Sequence, residues 1–305
     1  MGKKEEVEKQ KDFKSGFVAI VGAPNVGKST LLNRLLGGKV SITSKKPQTT
    51  RNRILGIVQR PSSQIIFLDT PGIFSTSNRF NIRLVETALS VLSDVDIALL
   101  MIDASKPDPD SEQLVVNKLR NPKKPVVLAF NKIDIVERPT LLSKIDAWAK
   151  QFSFEAIIPI SAKHGTQIEA LLRAMEAALP KGPQYFPKDL ITDMPEKFIA
   201  AEMVREKVFR FTGQEIPYAS AVTVDSFSED KKRSLVKIYA SIHVERDSQK
   251  GIVIGKKGIK LKKIGEAARI EIERMIGCKV FLKLFVRVEK NWSTDMKALR
   301  RFGYR

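Results

Sequence analysis

The sequence predicts an α/β domain built on a mostly parallel sheet, followed by a smaller α+β domain. Three observations carry that prediction. Over residues 16–180, continuous apolar runs alternate with segments of 3.6-residue spacing. A proline-rich stretch then breaks the pattern, and beyond it the element order becomes α-β-β-α-α-β. The expected division is a mobile tail over 1–15, a first domain over 16–180, a linker over 181–190, and a second domain with its own tail over 191–305.

The strands of the first domain are expected at 17–21, 54–58, 64–68, 96–103, 125–130 and 156–160. Each is a short apolar run without strict alternation, as in a sheet covered on both faces. Between them, 28–36, 81–92, 110–119, 141–152 and 166–179 carry the spacing of amphipathic helices. The linker is read from Pro180-Lys-Gly-Pro-Gln-Tyr-Phe-Pro187, whose prolines cannot continue the preceding helix. Downstream, a helical segment is expected over 195–212, strands over 219–225 and 235–245, a lysine-rich helical stretch over 248–276, a strand over 279–289 and a polar tail.

Composition narrows the partners. The chain has 305 residues and 43 % hydrophobic content, with no apolar run long enough to span a bilayer and a charged start that lacks a signal-peptide stretch. A cytoplasmic protein is expected. One cysteine, Cys278, excludes an intramolecular disulfide, and with only His164 and His243 beside it a Cys/His metal site is not expected. The net charge of +19 points to a polyanionic partner. Residues 231–263 alone hold 11 Lys/Arg against 2 Asp/Glu, the densest excess in the chain.

The first chemical motif is Gly22-Ala-Pro-Asn-Val-Gly27-Lys28-Ser29, between an apolar strand and a helix. That context marks a phosphate-binding loop. Asn25, Val26 and Gly27 offer backbone N–H groups at a helix start, Lys28 neutralises the β- and γ-phosphates, Ser29 offers a hydroxyl to Mg2+, and Thr30 lies within reach of the α-phosphate. Asp69-Thr-Pro-Gly72 ends the strand at 64–68, where Asp69 can reach Mg2+ and the Gly72 N–H can sense the γ-phosphate. In the intervening loop Pro47-Gln-Thr49-Thr50-Arg51, a threonine hydroxyl is expected on Mg2+, with Thr50 preferred to Thr49.

Base selection is read from Asn131-Lys132-Ile133-Asp134. The Asp134 carboxylate accepts two hydrogen bonds from N1–H and the 2-amino group of guanine, and the lysine stem can lie along the ring. Ser161-Ala162-Lys163, one helix and one strand later, closes the base pocket through the Ala162 N–H. These residues predict GTP as substrate. No catalytic side chain is assigned, because Ile73 stands where a water-orienting glutamine is found in Ras-like enzymes.

In the second domain, Ile252-Val253-Ile254-Gly255-Lys256-Lys257-Gly258 lies between two helical patterns, in the form of a KH GxxG loop of the prokaryotic, type II order. The glycines permit close approach of a nucleic-acid backbone, Lys256, Lys257 and Lys260 meet phosphates, and Ile252, Val253 and Ile254 face bases. Single-stranded RNA is therefore the expected ligand. An anionic membrane surface and a protein-docking role are the alternatives that basic charge leaves open.

The GxPNVGKS loop, NKID and SAK resemble those of the translation-factor-related GTPases. Together with GPQYFPKDLITDMPEKFIAAEMVREKVF, VIGKKG and NWSTDMKALRRFGY, they resemble the Era family of ribosome-assembly GTPases over residues 16–305. The resemblance implies a P-loop GTPase domain followed by a type II KH domain, slow intrinsic turnover, and the 3′ end of small-subunit (16S) ribosomal RNA as ligand in 30S subunit maturation, with nucleotide state gating RNA engagement. It also implies a monomer with some peripheral membrane association. By analogy with related GTPases Asn25 is a candidate K+ ligand, the alternative being that it only braces its loop.

Overall fold

The computed structural model describes residues 12–303 except 45, 47–48, 77–78, 121–123, 214–215 and 231–233. Two compact units emerge: the chain up to Val40 with Thr50–Asp193, and Ser41–Thr49 with Met194 onward. The expected tail lies outside the described residues up to position 11. Its last two positions need correcting, because Lys14 and Ser15 already pair with Ser63 and Gln64 in the sheet.

The first unit holds strands β1 (Lys14–Val21), β2 (Ile54–Gln59), β3 (Ser63–Asp69), β4 (Ile97–Asp103), β5 (Val126–Asn131) and β6 (Ala156–Pro159). Their order is β2-β3-β1-β4-β5-β6. All pairs are parallel except β2 with β3. That pair is a hairpin closed by Arg60 N–H donating to Ser63 O at 2.9 Å, so no crossover helix is needed. Helices α1 (Lys28–Leu36), α2 (Arg79–Ser90), α3 (Pro109–Leu119), α4 (Arg138–Gln151) and α5 (Ile168–Ala178) connect the rest. The central strands are buried on both faces, which explains why they lack period-two alternation.

The expected linker is corrected. Residues past Leu179 are strapped along β2 and β3 instead of hanging free. The Gln64 side chain donates to Phe186 O at 2.8 Å and accepts from the Tyr185 and Phe186 N–H groups. Ile57 N–H on β2 donates to Ile191 O at 2.8 Å, and Thr192 Oγ1 donates to Leu55 O at 2.6 Å. β2 is an edge strand, and this strap satisfies polar groups that an edge otherwise leaves open. The division between units accordingly falls after Asp193.

The second unit contains α6 (Glu196–Phe211), β7 (Ser220–Asp230), β8 (Leu235–Val244), α7 (Asp247–Ile254), α8 (Ile259–Ile276), β9 (Lys279–Val288) and α9 (Met296–Arg301). Its sheet runs β7-β8-β9, antiparallel then parallel, with a bulge between Val224 and Ser226. The charged residues Glu202, Arg205, Glu206 and Lys207 on α6 are buried. They tolerate burial because they pair: Arg205 Nε with Glu202 at 2.7 Å, and Lys207 with Glu206 at 2.9 Å and with Glu271 of α8. The same surface holds Thr43, Lys46 and Thr49. Thr43 N–H donates to Glu206 at 3.0 Å, Arg205 donates to Thr49 O, and Lys46 Nζ donates to Phe209 O and Thr212 O at 2.7 and 2.8 Å. Lys46 thus caps the carbonyl end of α6.

The polar tail expected after residue 289 is also corrected. Trp292 is fully buried and donates its indole N–H to Ala219 O at 3.0 Å, while α9, capped by Asp295, buries Ala298 and Leu299. Among the described residues no helix is long and apolar enough to cross a membrane.

Candidate functional site

The phosphate-binding loop lies between β1 and α1. Gly27 adopts φ 104°, and a Cβ there would come within 2.3 Å of Asn131 Nδ2, so the position admits glycine alone. Asn131 explains that closeness. Its Nδ2 donates to Val26 O at 2.7 Å and its Oδ1 accepts from the Ala162 N–H at 2.9 Å, so one buried side chain ties the phosphate loop to the base loop. Asn25 is exposed with φ 63°, a left-handed conformation that asparagine tolerates. Thr30 is half-buried in the first turn of α1.

Lys28 is buried, and its ammonium donates to Gly22 O and Ala23 O at 3.0 and 2.9 Å. Burial pulls its pKa down to about 8, opposed by the Asp69 carboxylate. Beside it, Ser29 Oγ donates to Asp69 Oδ2 at 2.7 Å and stands 2.8 Å from Thr50 Oγ1, and Thr50 Oγ1 reaches Asp69 Oδ2 at 3.5 Å. The structure thus gathers Ser29, Thr50 and Asp69 into one cluster of oxygen donors, the donor type that Mg2+ takes. Thr49 points elsewhere, donating to Lys46 O at 3.0 Å. Pro47 and Gln48 of the same loop lie outside the described residues.

Gly72 packs against Pro24, where a Cβ would meet backbone and ring atoms at 2.9 Å. The next residue, Ile73, is fully buried in the apolar core and donates its N–H to Gly22 O at 3.1 Å. A side chain held in the core cannot orient a water over the phosphates, so Ile73 does not take the glutamine's part.

In the base pocket the Ser161 hydroxyl donates to Asp134 Oδ1 at 2.6 Å, and this bond holds the Asp134 carboxyl below the usual carboxylate range. Lys132, left-handed at φ 67°, pairs with Asp103 at the end of β4. Burial alone would raise the Asp103 pKa, but hydrogen bonds from Lys132 and Ser105 outweigh it and the carboxyl is held low. Lys163 is exposed. Sequence reasoning missed Asp103 and Arg34. The Arg34 guanidinium on α1 donates to Ala162 O at 3.3 Å and to Lys163 O, bracing the base loop from the phosphate side. No local pattern marks either residue.

In the second unit, α7 stops at Gly255, whose φ of 70° and a Cβ contact of 2.7 Å to Lys260 demand glycine. Lys256 and Lys257 are exposed, and Gly258 starts α8 in the left-handed conformation. Ile252 is 43 % exposed, while Ile254 and Lys260 are half-buried. Val253 is fully buried and must be withdrawn as a base contact, because its side chain belongs to the core. Ile259, directly after the loop at the start of α8, is 66 % exposed.

A family model described as 50S ribosome-binding GTPase matches residues 17–132, and a KH domain model matches 215–293. Over nearly the whole length the chain is 54 % identical to GTPase Era of Geobacter metallireducens, covering 96 % of this chain and 98 % of that one. The chain belongs to the Era family of GTPases. It is also 52 % identical to GTPase Era of Geotalea uraniireducens, over 97 % of this chain and 99 % of that one. Among solved structures, it is similar to an Aquifex aeolicus Era variant bound to GDP and aluminium fluoride, with TM-score 0.91, 42 % identity and 96 and 99 % coverage. The same values hold for Era in complex with MgGDPNP and nucleotides 1506–1542 of 16S ribosomal RNA. A P-loop GTPase domain followed by a KH domain, expected from the motifs, is therefore the architecture of this Era-family GTPase.

Proposed function

We propose that this GTPase binds single-stranded RNA at the GKKG loop, with the 3′ end of small-subunit ribosomal RNA as ligand, and serves 30S subunit assembly in the cytoplasm as a monomer. The observation that carries this reading is the exposed Gly255–Gly258 loop joined in one chain to an assembled guanine-nucleotide pocket. A relative of matching architecture has been captured with Mg2+, a GTP analogue and that RNA. The pocket's residues act by position: Asn25, Val26, Gly27, Lys28 and Thr30 around the phosphates, and Asn131, Lys132, Asp134, Ser161, Ala162 and Lys163 around guanine. Ser29, Thr50 and Asp69 would hold Mg2+, which when bound neutralises phosphate charge. Asn25, exposed beside the phosphates, is the residue that would meet K+.

Nucleotide state gates the RNA site in this reading. Thr50 stands with Ser29 and Asp69, and its chain neighbour Thr49 is gripped by Arg205 of α6. A nucleotide that keeps its γ-phosphate engages Thr50 and Gly72, and the segment ending at Thr49 carries the change to α6. With Ile73 buried, turnover is slow and waits on a partner. GTP hydrolysis measured with and without a short 16S 3′-end oligonucleotide tests this. Stimulation by the matching sequence and not by a scrambled one is expected. Equal rates would remove the coupling, and binding to anionic vesicles in place of RNA would turn the reading toward a membrane surface.

A further inference from the structure

The sheet of the second unit has two faces, and the GKKG loop serves only one of them. Along β9 the side chains of Val280, Leu282, Leu284 and Val286 turn toward the helices, with Leu284 packed against Gly265 of α8. Period-two geometry puts Lys279, Phe281, Lys283, Phe285 and Arg287 on the other face. β8 lies alongside in parallel register and sets Lys237 beside Phe281, Tyr239 beside Lys283 and Ser241 beside Phe285.

One end of this face is covered. Phe302 stacks 4.5 Å from the His243 ring, Trp292 is buried there, and Ser241 is fully buried. The other end is open among the described residues, where Phe281 is 46 % and Phe285 39 % exposed. Two large, partly exposed aromatic rings on an edge strand are a cost that core packing does not explain. The rings are not isolated either. Phe281 lies 6.0 Å from Tyr239, and the Lys283 ammonium sits 5.5 Å from the Phe285 ring.

Charge on this face selects the partner. Among the described residues of this face, Lys237, Lys279, Lys283 and Arg287 stand with three carboxylates, Asp225, Asp230 and Glu289, and all three are engaged, Glu289 with Arg301 at the covered end. Asp225 accepts from Ser241 at 2.6 Å and pairs with Arg287 at 3.3 Å, and Asp230 lies 3.6 Å from Lys237. Positive charge alternates with flat rings along the strand, each charge about 6.7 Å from the next ring and the two rings about 13 Å apart. Bases stack on such rings regardless of sequence while the lysines meet the phosphates between them. Rings lying on a rigid sheet do not project into a bilayer, so the alternation fits a nucleotide strand better than a lipid surface.

We infer that the open face formed by Lys237, Tyr239, Lys279, Phe281, Lys283 and Phe285 is a second binding surface for single-stranded RNA. It takes the nucleotides beyond those held at the GKKG loop. The two surfaces share β9, on whose other side α7 and α8 pack, and β9 is the sheet edge that a strand crosses to pass from one to the other. A groove of the GxxG kind holds about four nucleotides, so a longer strand needs such a continuation. The inference rests on the RNA reading above and extends it.

The test uses the full chain and two labelled single strands of one sequence, a tetranucleotide and a dodecanucleotide, read by fluorescence anisotropy. Phe281→Ser with Phe285→Ser should leave tetranucleotide affinity unchanged and weaken the dodecanucleotide roughly tenfold or more. Phe281→Tyr with Phe285→Tyr should restore it. A doubly substituted protein that binds the dodecanucleotide as tightly as the parent overturns the inference, as does loss of binding to phosphatidylglycerol vesicles with RNA binding intact. Should the serine variant melt early, Lys279→Gln with Lys283→Gln decides by the same ratio of affinities. Failure of the GKKG reading is distinguishable, because it shows as tetranucleotide binding that survives Lys256→Ala with Lys257→Ala.

Discussion

In the nucleotide pocket, the phosphate-loop lysine is only 7 % exposed and the loop is fixed through Asn131. At the GKKG loop, Lys256 and Lys257 both stand in open solvent on a short turn. Under the proposed function the same chemical group, phosphate, is bound by two different physical means. A buried, pre-paired site discriminates strongly and feels salt weakly, whereas an exposed one takes its affinity from counterion release and discriminates little. The comparison predicts that single substitutions are severe in the first site and graded in the second.

The largest effect is expected at Lys28. Lys28→Ala should weaken GTP and GDP binding by about a hundredfold or more in a titration with fluorescent nucleotide, since charge-assisted bonds to two phosphates are lost at a dry site. Retained affinity would mean that the loop backbone alone holds the phosphates. Asp134→Asn should cost guanine affinity about a hundredfold, because an amide N–H2 then faces a guanine donor. Xanthosine triphosphate, which has an acceptor at that place, should recover binding; no recovery would contradict the assigned contact.

Smaller and salt-dependent is the effect at the second site. Lys256→Ala with Lys257→Ala should reduce RNA affinity about tenfold at moderate salt and lower the slope of log affinity against log salt by about 1.4. An unchanged slope would detach the loop from the phosphates. The smallest signal is a proton. Lys28 titrates near 8 in the free protein, below its ordinary 10.5, so above pH 8 it is mostly neutral. Phosphate favours the charged form, and nucleotide binding near pH 8.5 should take up roughly three-quarters of a proton, seen as a dependence of calorimetric heat on buffer ionisation. Below pH 7 the uptake should vanish.

How much of this was legible in the sequence divides along the same line. The phosphate loop, NKID and SAK are contiguous and lie between regular elements, so their residues could be named in advance. Asp103 and Arg34 could not, since each meets its partner only when distant segments close on one pocket. The choice of Thr50 over Thr49 rested on position, and the oxygen cluster with Ser29 and Asp69 supplies the geometry that position lacked. The second unit was less legible. Helix α6 buries four charged residues in pairs, so its inner face does not read as apolar, and the bonds of Thr43 and Lys46 to it leave no pattern in the sequence. Trp292 reads as part of a polar tail because it stands among charged and polar residues with no hydrophobic period, although it is fully buried against the sheet. Adjacency to the glycines suggests Val253 for the groove, and helical geometry turns it inward.

Nucleotide gating requires coupling between the two sites. RNA affinity should be measured on one preparation of the full chain, with a dodecanucleotide matching the 16S 3′ end, first loaded with GDP and then with a non-hydrolysable GTP analogue and Mg2+. A difference of about tenfold or more between the two states is expected, lost in Arg205→Ala, which releases Thr49 from α6. Equal affinities in the two states would contradict nucleotide gating.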